Sequence, residues 1–184
     1  MDSQTLLIVT CGILMGCFIG LSWFAGSDAP FVATKRERIK KLFTKVGVKN
    51  GQIFYELGSG DGRVVIEAAK MGAEAFGIEQ SWLRILLSRW RARNLANAHF
   101  IHGNIFKNNF SEADFVFIFL LPKGVNKLEP ILKKNLKKGS KVITQAFHFK
   151  NWPPIKKILV TDKNRSNQDL GKNQLEGDFW IYRV

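Results

Sequence analysis

Cysteine and histidine are scarce in this chain of 184 residues, which has two of the first and three of the second. Both cysteines, Cys11 and Cys17, lie in one apolar stretch with no histidine or second cysteine pair beside them, which argues against a disulfide scaffold and a structural zinc centre. His99, His102 and His148 fall in segments that read as strands, where a core or edge histidine is expected, and no His-Asp pair or activated Ser or Cys accompanies them. Nothing therefore points to triad hydrolysis or to metal chemistry. Repeats and low-complexity tracts are absent, and with 46% apolar and 23% charged residues a disordered or collagen-like chain is excluded. Acidic residues are also few. Fifteen Asp and Glu face 28 Lys and Arg, a net charge of +13, which suits an anionic partner such as nucleic acid, acidic lipid or an acidic protein, or else a solvated lysine face.

Charge itself is missing between Asp2 and Asp28, and residues 6–25 are almost wholly apolar. At about 1.5 Å of helical rise per residue, such a run matches the roughly 30 Å of bilayer hydrocarbon. A transmembrane helix over residues 5–26 is expected, followed by a basic juxtamembrane segment and leading helix over 27–50 and a folded domain over 51–184. A signal peptide cleaved near Ala25-Gly26-Ser27 is the alternative, but its usual basic start is lacking. Lys35, Arg36, Arg38, Lys40 and Lys41 follow at once, so the positive-inside rule puts the N-terminus outside and the domain at the cytoplasmic face. The expected membrane is a bacterial plasma membrane, or a mitochondrial inner membrane in a eukaryote. Gly12, Gly16 and Gly20 line one helix face that a second copy would be able to approach in a homodimer.

Beyond residue 50, short apolar runs alternate with amphipathic segments, which predicts an α/β fold with a parallel sheet and helices on both faces. Strands are expected at 53–57, 75–79, 99–102, 114–121, 141–147, 158–160 and 179–184, with a polar loop at 162–178. Helices are expected at 31–48, 63–71 and 81–96, and another around Val125, Leu128 and Leu132. In the helix over 81–96, Leu83, Leu86, Leu87 and Trp90 recur at helical spacing and read as the buried stripe, with Arg84, Arg89, Arg91 and Arg93 on the other faces.

The first strand ends in Glu56 and runs into Gly58-Ser59-Gly60-Asp61-Gly62, a turn whose small residues let a ligand approach the backbone. A dinucleotide fingerprint would need a third glycine where Arg63 stands, and Glu56 and Asp61 surround the loop with negative charge, so pyrophosphate is disfavoured. S-adenosylmethionine fits better, having a sulfonium and an ammonium beside one carboxylate. Glu56 would then answer its positive end, and loop N–H groups at Gly58, Ser59 and Gly60 its carboxylate. Glu79, at the end of the second strand, is spaced to accept the ribose hydroxyls, and as a strand-end carboxylate it is expected to add little to the fold. After the third strand, Asn104 is placed to bond the adenine and Ile105 to pack on its face. No metal is expected.

These segments, ELGSGDG, GIEQ and GNIF, resemble the motif series of the seven-strand, Rossmann-like S-adenosylmethionine-dependent methyltransferases, although Asn104 stands where Asp is common. The stretches PFVAT at 30–34, GIEQSWLRILLSRWRAR, FIFLLP and AFHFKNWPP extend the likeness. They resemble a narrower family of membrane-anchored protein-lysine methyltransferases, which includes the mitochondrial enzymes modifying the c subunit of ATP synthase and the adenine nucleotide translocase. The resemblance implies that Phe31 and Thr34 pack over the cofactor, although Ala33 replaces a usual proline. With the strand ends, it makes Phe31, Leu121, Pro122 and Phe147 candidates for the mouth that admits a lysine of a membrane protein near the lipid bilayer. Enzymes that methylate base amino groups resemble one another in an Asn/Asp-Pro-Pro-aromatic tetrad after the fourth strand. Here that position reads Leu120-Leu121-Pro122-Lys123, so nucleic acid is not favoured, and Asn151-Trp152-Pro153-Pro154 reads as a chain turn. RNA or small-molecule methylation, or a non-catalytic adenosyl-binding factor on the membrane, are the rival functions.

Overall fold

The computed structural model describes residues 2–24, 33–160 and 178–184. Helices α1 (Ser3–Phe24) and α2 (Arg36–Val46) precede β1 (Ile53–Leu57), α3 (Arg63–Lys70), β2 (Glu74–Glu79), α4 (Trp82–Arg91) and β3 (Ala98–His102). Then come β4 (Phe115–Ile118), α5 (Pro122–Asn135), β5 (Lys141–Gln145), β6 (Lys156–Ile158) and β7 (Phe179–Arg183). The strands form one sheet of order β3-β2-β1-β4-β5-β7-β6, as the seven-strand reading requires. The first five are parallel, and β7 runs antiparallel between β5 and β6. Chain order reverses at β1, which lies between β2 and β4, so a crevice opens beyond the carboxyl ends of these strands.

Both faces of the sheet are covered. On one, Ile39, Leu42 and Phe43 of α2 and Val65 of α3 meet Phe54, Phe115 and Phe117. On the other, Val125, Leu128 and Leu132 of α5 meet Leu57, Val116, Ile118 and Val142. Strand β4 feeds both cores by alternation, which is why its sequence is apolar at every position. Arg38 ties α2 down through Nε to the Val160 carbonyl at 3.2 Å.

Several boundaries differ from expectation for local reasons. Strand β4 stops at Ile118 instead of residue 121, where its pairing with β1 and β5 ends, and Leu121 is the extended N-cap before Pro122, which opens α5 at a position where no N–H is needed. Strand β5 stops at Gln145 because Ala146 turns to φ +65°. Helix α2 begins at Arg36 and ends at Gly47, whose φ of +81° provides the left-handed C-cap. Residues 31 and 32, and most of the polar loop at 162–178, lie outside the described residues.

Helix α4 ends at Arg91 instead of residue 96, and it is turned about its axis relative to expectation. Arg84, Ile85 and Ser88 are its buried residues, whereas Leu86 and Trp90 are 57% and 63% exposed. The cause is the glycine turn beneath it. Ser88 Oγ donates to the Gly60 carbonyl at 3.2 Å, and Arg84 lies 3.8 Å from Glu79, contacts that leucine and tryptophan are unable to make.

Helix α1 starts two residues earlier than the expected span, and residues 25–26 lie outside the described ones. Its described side chains are uncovered, with Ile8 and Phe18 72% and 73% exposed. Among the described residues no helix is long and apolar enough to cross a membrane.

Candidate active site

Three glycines in left-handed conformation, Gly58 (φ +84°), Gly60 (φ +53°) and Gly62 (φ +77°), take the chain from β1 into α3. The turn is knitted to β2. The Gly58 and Ser59 N–H groups both donate to the Ile78 carbonyl, at 2.9 and 3.0 Å, and Gly62 N–H donates to the Ser59 carbonyl at 2.9 Å. Gly77 is required opposite, since a Cβ there would lie 2.7 Å from the Ser59 side chain. The loop N–H groups expected to meet a cofactor carboxylate are thus used within the protein at Gly58, Ser59 and, as follows, Gly60.

Glu79 holds this loop. Its Oε2 accepts Gly60 N–H at 2.9 Å, and its Oε1 accepts the N–H groups of Gln80 and Ser81, each at 3.0 Å. The side chain is buried, so the expectation that it adds little to the fold is corrected: it is the clasp between the glycine turn and α4.

Glu56 is buried beneath the turn, and its Oε2 accepts the Val65 N–H at 3.3 Å, capping the first turn of α3. Burial, with the nearby Asp61 charge second, pushes its carboxyl well above the usual range. A raised acid stabilises the fold fully below its unfolded pKa of about 4.3 and loses that contribution as pH climbs to the folded value, by up to about 1.4 kcal/mol per pH unit. Glu56→Gln keeps an oxygen for Val65 and has no proton to lose. Urea denaturation should therefore find the two proteins alike near about pH 4 and Glu56→Gln increasingly the more stable as pH rises. Parallel curves would show that the carboxylate ionises freely in the fold.

Asp61 shows the opposite balance. Burial alone would raise it, but Arg63 and Arg91 both hydrogen-bond its carboxylate and hold it below the ordinary value. Arg63 also reaches the Thr34 carbonyl at 3.3 Å, and Thr34 Oγ1 lies 2.6 Å from Gln145 Oε1. The segment before α2 is thereby pinned across the carboxyl end of the sheet, beside the left-handed Ala146. Sequence spacing gave no signal for Gln145 or for the Asp61 pairing, whose partners come from α3 and α4.

Among the remaining expected residues, Asn104 Oδ1 accepts Phe106 N–H at 2.9 Å in a turn after β3, and Ile105 is buried against the α5-side core. Leu121 and Phe147 are half-buried, on the segments leaving β4 and β5, and Pro122 is exposed at the start of α5. Phe31 lies outside the described residues. Trp152 is buried and stacks on Phe149 with ring centroids 5.3 Å apart, whereas Asn151, Pro153 and Pro154 are exposed.

The donor set fits an adenosyl ligand. Ser59 Oγ and Ser81 Oγ, on either side of Glu79, are buried with no hydrogen-bond partner among the described residues. Buried hydroxyls left in this way beside a carboxylate suit a polar ligand. Glu79, Ser59 and Ser81 would hold its ribose and neighbouring polar groups, with Asn104 and Ile105 at the base.

Residues 56–156 match the family model described as the ANTKMT methyltransferase domain. The chain belongs to this family. It is 34% identical over 143 residues to a protein-lysine N-methyltransferase of Saccharolobus islandicus, covering 75% of this chain and 89% of that one. It is also 34% identical over 128 residues to the human lysine N-methyltransferase of the ATP synthase c subunit, covering 68% of this chain and 54% of that one. The chain thus spans about half the length of that relative. Among solved structures, an RNA methyltransferase of Salinibacter ruber in complex with S-adenosylhomocysteine superposes with a TM-score of 0.70. The identity is 29%, over 83% of this chain and 94% of that one. Membership bears out the expected class, S-adenosylmethionine-dependent protein-lysine N-methyl transfer, and with it the cofactor.

When bound, that cofactor supplies a methyl group on a sulfonium, a strong leaving group. Toward such a ligand the chain's own residues would act by position: Glu79 holds the glycine turn in place beside it, and the Thr34–Gln145 contact fixes the start of the segment before α2 at the carboxyl end of the sheet.

Proposed function

We propose that this protein methylates the ε-amino group of a lysine in a membrane protein, at the surface of the bilayer in which α1 is anchored. The observation that carries the reading is the likeness to lysine methyltransferases combined with an uncharged apolar stretch next to the domain. The acceptors named for two relatives, the c subunit of ATP synthase and the adenine nucleotide translocase, are themselves membrane proteins. Residues 25–35 join α1 to α2 and reach at most about 3.3–3.6 Å each, so the site stays near the lipid. The N-terminus lies outside and the domain at the cytoplasmic face, in a plasma membrane or its mitochondrial equivalent. Gly12, Gly16 and Gly20, with nothing within 4 Å of their missing Cβ positions, leave one face of α1 open to a second copy.

An incoming lysine must lose its proton, against a solution pKa near about 10.4. The apolar surface of Leu121, Pro122 and Phe147 would favour the neutral amine by desolvation, and water can take the proton before attack. RNA is the second reading, favoured by the +13 net charge and by the Salinibacter neighbour. One experiment separates them. Labelled S-adenosylmethionine is supplied to sealed right-side-out and to inverted vesicles carrying the enzyme, each mixed with RNA. We expect label only with inverted vesicles, on lysine of a membrane protein, identified by mass spectrometry. Label chiefly in RNA would sink the lysine reading, and labelling from the right-side-out face would overturn the topology.

A further inference from the structure

We propose that the outward face of α4 lies in the headgroup layer of an anionic bilayer, and that this contact sets the height of the active site above the lipid. The proposal rests on the membrane-anchored reading above and names the surface that meets the membrane.

Trp82, Leu86 and Trp90 follow one another at four-residue spacing and point away from the protein, 58%, 57% and 63% exposed. An unpartnered stripe with two tryptophans on a helix that also packs against the core is unusual for a surface facing only water. It extends onto β3, the last strand on that side of the sheet, where His102 stacks on Trp82 with centroids 4.0 Å apart and Ile101 is partly exposed.

Charge selects the occupant. Between Glu79 and Glu112 the chain has no acidic residue, and with Arg84 and Arg91 turned inward to Glu79 and Asp61 the remaining exposed cations of this stretch are Arg89, Arg93 and Lys107. Arg93 is exposed and sits over the Trp90 ring at 5.0 Å. Tryptophan rings and arginines with apolar stems are the side chains that settle at a membrane interface, and exposed cations are drawn to an anionic leaflet. Position agrees, because α1 comes near α4 while its described side chains and the α4 stripe both stay exposed. A lipid surface is therefore favoured over a second protein.

The inward face of the same helix holds the cofactor loop, through Ser88 to Gly60, Arg84 to Glu79 and Arg91 to Asp61. Seating the outer face in the headgroups would orient that loop, and the sheet edge beside it, relative to the membrane. The enzyme would then choose lysines by their depth.

The test uses the full chain in phosphatidylcholine–phosphatidylglycerol vesicles whose acyl chains are brominated or not. Trp23→Phe removes the α1 reporter, and a second protein adds Trp82→Phe and Trp90→Phe, both exposed sites that should leave cofactor binding by calorimetry unchanged. We expect bromination to lower the emission of Trp23→Phe by roughly half and to leave the triple variant almost unaffected. Equal quenching of the two proteins would overturn the proposal, as would a loss of Trp82 and Trp90 exposure that follows protein concentration instead of lipid, the mark of a second copy. Flotation with vesicles after an alkaline wash reports the α1 anchor separately. A chain that floats without α4 quenching defeats this inference alone, whereas one that fails to float defeats the anchored reading.

Discussion

Gly62→Ala should lower the stability of the domain by about 2–5 kcal/mol, enough to unfold much of it under ordinary conditions. Two effects add. Gly62 has φ +77°, a left-handed conformation that disfavours any residue with a Cβ by about 1–2 kcal/mol. A Cβ there would also lie 2.7 and 2.8 Å from Phe100 ring atoms and 2.8 Å from Ser88 Cβ, between β3 and α4 where neither neighbour has room to withdraw. Overpacking of this kind adds about 1–3 kcal/mol. Gly139→Ala is the control, since Gly139 has φ +92° but nothing within 4 Å of its Cβ position. Urea denaturation of both variants separates backbone strain from collision. Equal losses would mean that the packing of α4 on the glycine turn is not as described.

The second large effect is at Glu79. Glu79→Gln keeps one oxygen for the backbone but removes the charge, and we expect S-adenosylmethionine affinity by calorimetry to fall roughly ten- to hundred-fold, corresponding to a charge-assisted bond of about 1.5–3 kcal/mol. Glu79→Ala should do more. It strips acceptors from the N–H groups of Gly60, Gln80 and Ser81 and leaves Arg84 facing an empty site, so thermal stability should fall along with binding. Thermal melts of the apo proteins, read beside the calorimetry, separate the two variants. Wild-type affinity in folded Glu79→Gln would remove Glu79 from the ribose.

The carboxylates show where sequence reading ends. That Glu56, Asp61 and Glu79 surround a glycine turn follows from their places along the chain. Which way each points does not, because Glu56 turns under the loop to cap α3 while Asp61 is claimed by two arginines from different helices. Thr34 and Gln145 are 111 residues apart and meet only because parallel strands bring their ends to one edge.

Six of the seven strands, the α5 face and the family are legible from local sequence, while β6 lies at Lys156–Ile158, two residues before the expected 158–160. Strands need short apolar runs, Val125, Leu128 and Leu132 share a helix face by spacing alone, and a turn of three left-handed residues demands glycine, so each is written locally. Which side of α4 is buried depends on what the helix meets in the fold. By periodicity the leucines and Trp90 should face the core, but Ser88 is small enough to sit against Gly62, and Arg84 finds its partner on β2. A helix buries the face that fits its neighbour's shape and charge, and the neighbour here is a loop made of glycine and carboxylates instead of an apolar strand.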